Sequence, residues 1–111
     1  MQRFVALCGV IILLWTAGMF SVCRSAAMAV THTVAIDGVT FDPATLTVKV
    51  GDTVVWVNKD PFPHTVTAQA GGFDSHVIVP GQSWSYTTTR AGMFPYLCTL
   101  HPTMHATLKV E

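Results

Sequence analysis

An all-β domain, built as an antiparallel sandwich or barrel, is what the chain predicts from Val30 onward. Three observations carry this. Apolar and polar residues alternate in short runs, as in half-buried strands. Turn residues cut those runs at regular, short spacing, the pattern of sandwiches and barrels. No helical period of useful length appears after the N-terminal stretch.

The runs can be taken in order. Thr31 to Ile36 alternates and stops at Asp37-Gly38, and Phe41-Asp42-Pro43 reads as a turn. In Thr45 to Val50, Leu46, Val48 and Val50 face one way and Thr45, Thr47 and Lys49 the other. Gly51-Asp52 turns the chain. Thr53 to Val57 is apolar on both sides, β-branched and centred on Trp56, which suits a central strand. Asn58 to Pro63 is a loop with two prolines, and His64 to Ala68 is a short strand broken by Gly71-Gly72. Phe73 to Val79 has no clear period, and Pro80-Gly81 ends it. Gln82 to Thr88 alternates around Trp84 and Tyr86, and Ala91-Gly92 turns again. Met93 to Cys98 and His105 to Val110 are the last two strands.

Length allows one domain at most: the chain has 111 residues. Half of them are apolar and 11% are charged, and part of that excess belongs to residues 1–29, which read as an export signal helix. Arg3 supplies a positive start, Phe4 to Phe20 is uncharged and nearly all apolar, and Ala27-Met28-Ala29 fits the small-x-small cleavage pattern. The alternative is a retained anchor, because the stretch from Phe4 to Cys23 is long enough to span a bilayer. Cleavage after Ala29 is the expectation, given that site and its place just ahead of the first strand. Val22 before Cys23 argues against lipid attachment there. The expected domains are therefore residues 1–29, signal, and 30–111, the folded domain in the periplasm.

The domain carries four basic residues (Lys49, Lys59, Arg90, Lys109) against six acidic ones (Asp37, Asp42, Asp52, Asp60, Asp74, Glu111), a net charge of −2 with histidine neutral. No basic patch exists to neutralise phosphates, which excludes nucleic acid as a partner. Cys8 and Cys23 belong to the signal, so Cys98 is the domain's one cysteine. Small exported domains usually lean on disulfides; this one cannot form one within itself. A metal would occupy the thiol and help stabilise a core that is marginal at about 80 residues.

The metal ligands are legible. Cys98, His101 and Met104 lie within seven residues, and His64 lies upstream. Two histidines and a cysteine in a trigonal plane with a weak axial methionine form the site of an electron-transfer copper ion. Thr99 to Met104 reads as a tight loop that aims several side chains at one point, stiffened by Pro102. His64 follows the Pro61-Phe62-Pro63 turn. Singly, a cysteine in a strand is a small hydrophobe, a loop methionine fills gaps and a histidine sits at the surface; the joint pattern outweighs those readings. Strand parity selects Met104 over His105, because Ala106, Leu108 and Val110 share the apolar face and leave His105 outside with Lys109. His32 and His76 do not read as ligands.

These residues resemble the cupredoxins, and within them the plastocyanin, pseudoazurin and amicyanin branch. Val39-Thr40-Phe41-Asp42-Pro43 followed by Leu46 to Trp56 is similar to the family's N-terminal half, and Gly92 to Cys98 to its aromatic strand leading into the copper cysteine. The spacing Cys-x-x-His-x-x-Met is that of the short amicyanin loop. The resemblance implies a Greek-key β-sandwich with copper at one end, held by His64, Cys98, His101 and Met104. It implies that electrons pass through the exposed edge of His101, where apolar surface docks redox proteins weakly. One departure stands out: amicyanin-like sites commonly have Asn after the first histidine, where this chain has Thr65.

The expected function is a monomeric, non-enzymatic carrier of one electron between donor and acceptor proteins, at the membrane only if the N-terminal segment is kept. A periplasmic copper-binding or delivery protein is the alternative, but delivery sites are open and rich in Met and His, without a constrained Cys. A multicopper enzyme would need a second copper site. Zinc prefers tetrahedral Cys and His ligands, and Met104 suits it poorly.

Overall fold

The computed structural model describes residues 28–111. The expected signal helix lies outside them. Eight strands follow in order: β1 (Thr31–Asp37), β2 (Thr40–Asp42), β3 (Thr45–Val48), β4 (Thr53–Asn58), β5 (Thr67–Ala68), β6 (Ser83–Thr87), β7 (Gly92–Cys98) and β8 (His101–Val110). Among the described residues no helix is long and apolar enough to cross a membrane.

The strands form two four-stranded sheets, in the orders β2-β1-β4-β6 and β3-β8-β7-β5. The expected sandwich is present, and its sheets are mixed. β1 runs parallel to β4 and β3 parallel to β8, while the other pairs are antiparallel. The path explains the mixture. β2 folds back on β1 as a hairpin, β3 crosses to the second sheet, and β4 returns beside β1 in the same direction.

Alternation decides what is buried. Val34 and Ile36 of β1, Val54 and Trp56 of β4, and Ala106, Leu108 and Val110 of β8 face the core, as expected from parity. β4 is the centre of its sheet, between β1 and β6. It alternates more than its composition suggests, since Val55 and Val57 are only half-buried. Trp56 packs edge-on against Tyr96 at 5.6 Å between ring centroids, and its indole Nε1 donates to the Tyr96 hydroxyl at 3.2 Å. Burial pushes the Tyr96 hydroxyl up to about 12, so it stays neutral and free to accept that bond.

Several boundaries differ from those expected. Thr40–Asp42, which overlaps the Phe41-Asp42-Pro43 stretch read as a turn, is a strand paired with β1 through a Gly38-Val39 turn. The strand expected at His64 to Ala68 shrinks to Thr67–Ala68. Phe73 to Val79 forms only two isolated bridges, Thr67 with Asp74 and His64 with Ile78. β8 begins at His101 rather than His105, so only Thr99 and Leu100 separate β7 from β8. The looped character of that stretch survives as a bulge. Leu97 pairs with His105 but Cys98 pairs with His101, which leaves Pro102, Thr103 and Met104 without partners on β7.

Candidate metal centre

Three of the four expected ligands converge. His64 Nδ1 lies 3.6 Å from Cys98 Sγ, and His101 Nδ1 lies 3.8 Å from it. The two imidazole centroids are 4.8 Å apart. All three donor atoms fall within 4.8 Å of one another. The spacing fits an ion held between them: with bonds of about 2.0 Å to nitrogen and about 2.3 Å to sulfur, a trigonal angle sets the N···S edge at about 3.7 Å. One thiol and two imidazoles are also the donor types that suit copper.

Each donor is fixed by its own element. His64 lies beyond the Pro61-Phe62-Pro63 turn and exchanges both backbone hydrogen bonds with Ile78, at 3.1 and 2.7 Å. The segment without a clear period, Phe73 to Val79, therefore holds a candidate ligand in place. Cys98 ends β7 and is fully buried. His101 opens β8 across the two-residue turn and is half-buried. Met104 sits in the bulge, and the parity of β8 turns it inward, where it is 3% exposed. His105 points outward as expected.

The contacts behind these donors were not all legible. Asp60 is the clearest omission. Its carboxylate, almost fully buried, accepts from His64 Nε2 at 2.8 Å. It also accepts the backbone N–H groups of Gly38 at 2.6 Å and Val39 at 2.8 Å. Burial pulls its pKa up, but the N–H donors of Val39 and Gly38, together with His64, outweigh this and hold it below the ordinary carboxylate value. An ionised Asp60 can only accept, so Nε2 of His64 donates this bond and Nδ1 is the nitrogen left facing Cys98. Asn58 shapes this loop: its amide donates to the carbonyls of Phe62 and Ile78, and its Oδ1 accepts from Asp60 N.

Thr65 answers for the residue that departs from the family pattern. Its backbone N–H donates to Cys98 Sγ at 3.2 Å. Its hydroxyl accepts from Thr99 N at 2.9 Å and meets the Thr99 hydroxyl at 3.0 Å. The shorter side chain thus joins the two ligand segments, with Thr99 supplying the missing length. His32 is bonded to Asp52 at 2.9 Å and His76 is exposed beside Asp74, both away from the cluster.

Comparison with known proteins agrees with this geometry. The cupredoxin-like domain family matches residues 9–110. Amicyanin of Paracoccus denitrificans is 38% identical over 76 residues, which are 64% of this chain and 58% of that protein. Chloroplastic plastocyanin of Tetradesmus obliquus is 36% identical over 72 residues, 55% of this chain and 50% of that one. The chain thus spans little more than half the length of these relatives. A solved amicyanin variant in its Cu(I) form superposes with a TM-score of 0.69 at 35% identity, covering 73% of this chain and 82% of that one. By sequence, by fold and by the residues at its centre, this chain belongs to the cupredoxin-like family.

Proposed function

We propose that the protein is an exported, single-domain blue-copper carrier that passes one electron between redox proteins, with His64, Cys98, His101 and Met104 as the ligands of one copper ion. The convergence of His64 Nδ1, Cys98 Sγ and His101 Nδ1 is the observation that carries this reading. Bound there, copper supplies a single reversible electron through its Cu(I)/Cu(II) couple. The protein's part is to hold the donors still. His64 and Cys98 are fully buried and each is bonded to a second segment, His64 through its backbone to Ile78 and Cys98 through its sulfur to Thr65, so the site rearranges little when the charge changes.

His101 is the donor that reaches the surface. Leu100 beside it, and Phe62, Val77 and Val79 from the segments flanking His64, each expose about half of their surface. An apolar rim of this kind fits brief docking by donor and acceptor proteins. Residues 1–29 act as the export signal and 30–111 as the working domain, in the periplasm.

Loading the protein with Cu(II) tests the reading. The oxidised protein should turn intensely blue and bleach reversibly on one-electron reduction. The Cys98→Ser variant should stay colourless. A pale parent, indistinguishable from Cys98→Ser, would overturn it.

A further inference from the structure

The second buried carboxylate of the domain, Asp52, sits at the other end of β4 from the His64 loop, about 20 Å away along a six-residue strand. Its Oδ1 accepts from Val30 N at 2.9 Å. Its Oδ2 accepts from Lys49 N at 3.0 Å and meets His32 Nε2 at 2.9 Å. Val30 is held on its other side as well, because its carbonyl accepts from Thr53 N at 3.0 Å. Val30 therefore stands fixed at the threshold of β1, while Met28 and Ala29 before it are exposed and outside any strand. The scissile bond implied by Ala27-Met28-Ala29 is the bond whose nitrogen already rests on Asp52.

We propose that cleavage after Ala29 turns this peptide hydrogen bond into an ion pair, the new α-ammonium of Val30 on the Asp52 carboxylate, and that this pair locks β1 in the mature protein. The inference rests on the signal-peptide reading above. Hydrolysis adds one water across the amide. Ala29 leaves as a carboxylate, and the Val30 nitrogen keeps its place, gains hydrogen from water and takes up a proton. A single neutral donor becomes a charged one with three protons, and charge-assisted bonds are roughly twice as strong as neutral ones. The strand need not move, because the nitrogen is already at bonding distance.

The surroundings can receive the remaining protons. Met28 and Val30 line a cavity of about 250 Å³ together with His32, Lys49, Asp52 and Glu111. The cavity is already open on one side and Val30 is exposed, so water can meet the two ammonium protons that Asp52 does not take. The ionisable groups around the new terminus are His32 from β1, Lys49 from the turn before β4, and Glu111 just beyond β8. The carboxylates outnumber the one fixed cation, so the field favours a protonated amine.

The test uses the full chain, exported by a bacterial host, purified from the periplasm and kept as reduced, copper-loaded protein. Intact mass reads where the chain was cut. NMR titration of the Val30 Cα and nitrogen signals then reads the pKa of the α-amine directly. The amine should titrate at least one unit above the ordinary range of about 7.7–8.0, and Asp52→Asn should return it to that range. Asp52 also holds Lys49 N, so Asp52→Asn can fail to fold. The titration of the unaltered protein decides the matter without it. A chain that starts at Val30 but whose amine titrates in the ordinary range overturns the ion pair and leaves the signal reading intact. A mass showing another start, or none, overturns the signal reading and the ion pair together, while the blue colour is untouched.

Discussion

Asp60 shows how a candidate metal ligand is held by a residue that no local pattern announces. In the sequence it is one acidic residue in a proline-rich loop. Its role depends on the Gly38-Val39 turn, more than twenty residues earlier, whose two N–H groups meet its carboxylate. As candidate ligands, His64, Cys98, His101 and Met104 are announced by residue type and spacing, and the structure brings the first three together; their supports were not legible, because hydrogen bonds between distant segments leave no periodic trace. Replacing Asp60 with Asn should therefore act on the metal without replacing a candidate ligand. It removes the charge that orients His64 and one of the oxygens that receive the turn. Contacts of this kind are worth about 10–100-fold in metal affinity, so competition against a chromophoric chelator should show Cu(II) held that much more weakly. An unchanged affinity would remove Asp60 from the positioning role. Met104 acts differently. In the proposed site it is the weak axial ligand, a position that tunes the potential rather than the affinity. Met104→Leu should keep the blue colour and shift the midpoint measured by voltammetry, and an unshifted midpoint would remove Met104 from the ligand set.

Among the elements, the β1–β2 hairpin carries visible strain. Gly38 and Val39 both have positive φ, 61° and 58°, the pair of values that a tight two-residue hairpin turn requires. Glycine adopts this readily, whereas a β-branched side chain resists it. Val39 is exposed enough that its side chain adds little to the core. What the turn provides is geometric: it points two successive N–H groups at Asp60. Val39→Asn keeps the N–H and relieves the β-branched clash. It should raise stability by about 1 kcal/mol, read as a higher urea midpoint at unchanged slope, with copper affinity preserved. A lower midpoint would show that the valine side chain contributes packing that its exposure does not suggest. Element boundaries were hard to read here for the same reason that the turn is strained. Asp37-Gly38 and Phe41-Asp42-Pro43 both look like breaks in the sequence, and only the register Asp37 to Thr40 shows that a three-residue strand lies between them. The bulge in β8 was hidden in the opposite way, since nothing in Pro102-Thr103-Met104 says how many residues the ladder skips.

At the scale of the molecule the domain is closed by one carboxylate at each end of β4, Asp60 beside the metal centre and Asp52 at the far pole. The parallel pairing of β1 with β4, invisible to alternation, brings Val30 beside Thr53 and makes Asp52 a clamp on three segments: the entry to β1, the turn after β3 and, through its backbone, the end of β6 at Thr88. Hydrogen bonds from Val30 N, Lys49 N and His32, with the charge of His32 adding to them, hold the Asp52 carboxyl at about 2 against an ordinary 3.8. The sign of the pH effect follows from that depression. A group whose folded pKa is lower binds its proton more readily when unfolded, so its contribution is complete above about pH 4 and declines as pH falls toward 2. Asp60, also held low, works in the same direction. Urea midpoints of the metal-free protein should therefore stay level with respect to these carboxylates down to about pH 4 and fall steeply below it. Asp52→Asn should be less stable at neutral pH and show a shallower acid decline, since it has no proton to take up there. Parallel acid limbs in the two proteins would mean that Asp52 does not carry the linkage, and that the clamp at the far pole works through geometry rather than charge.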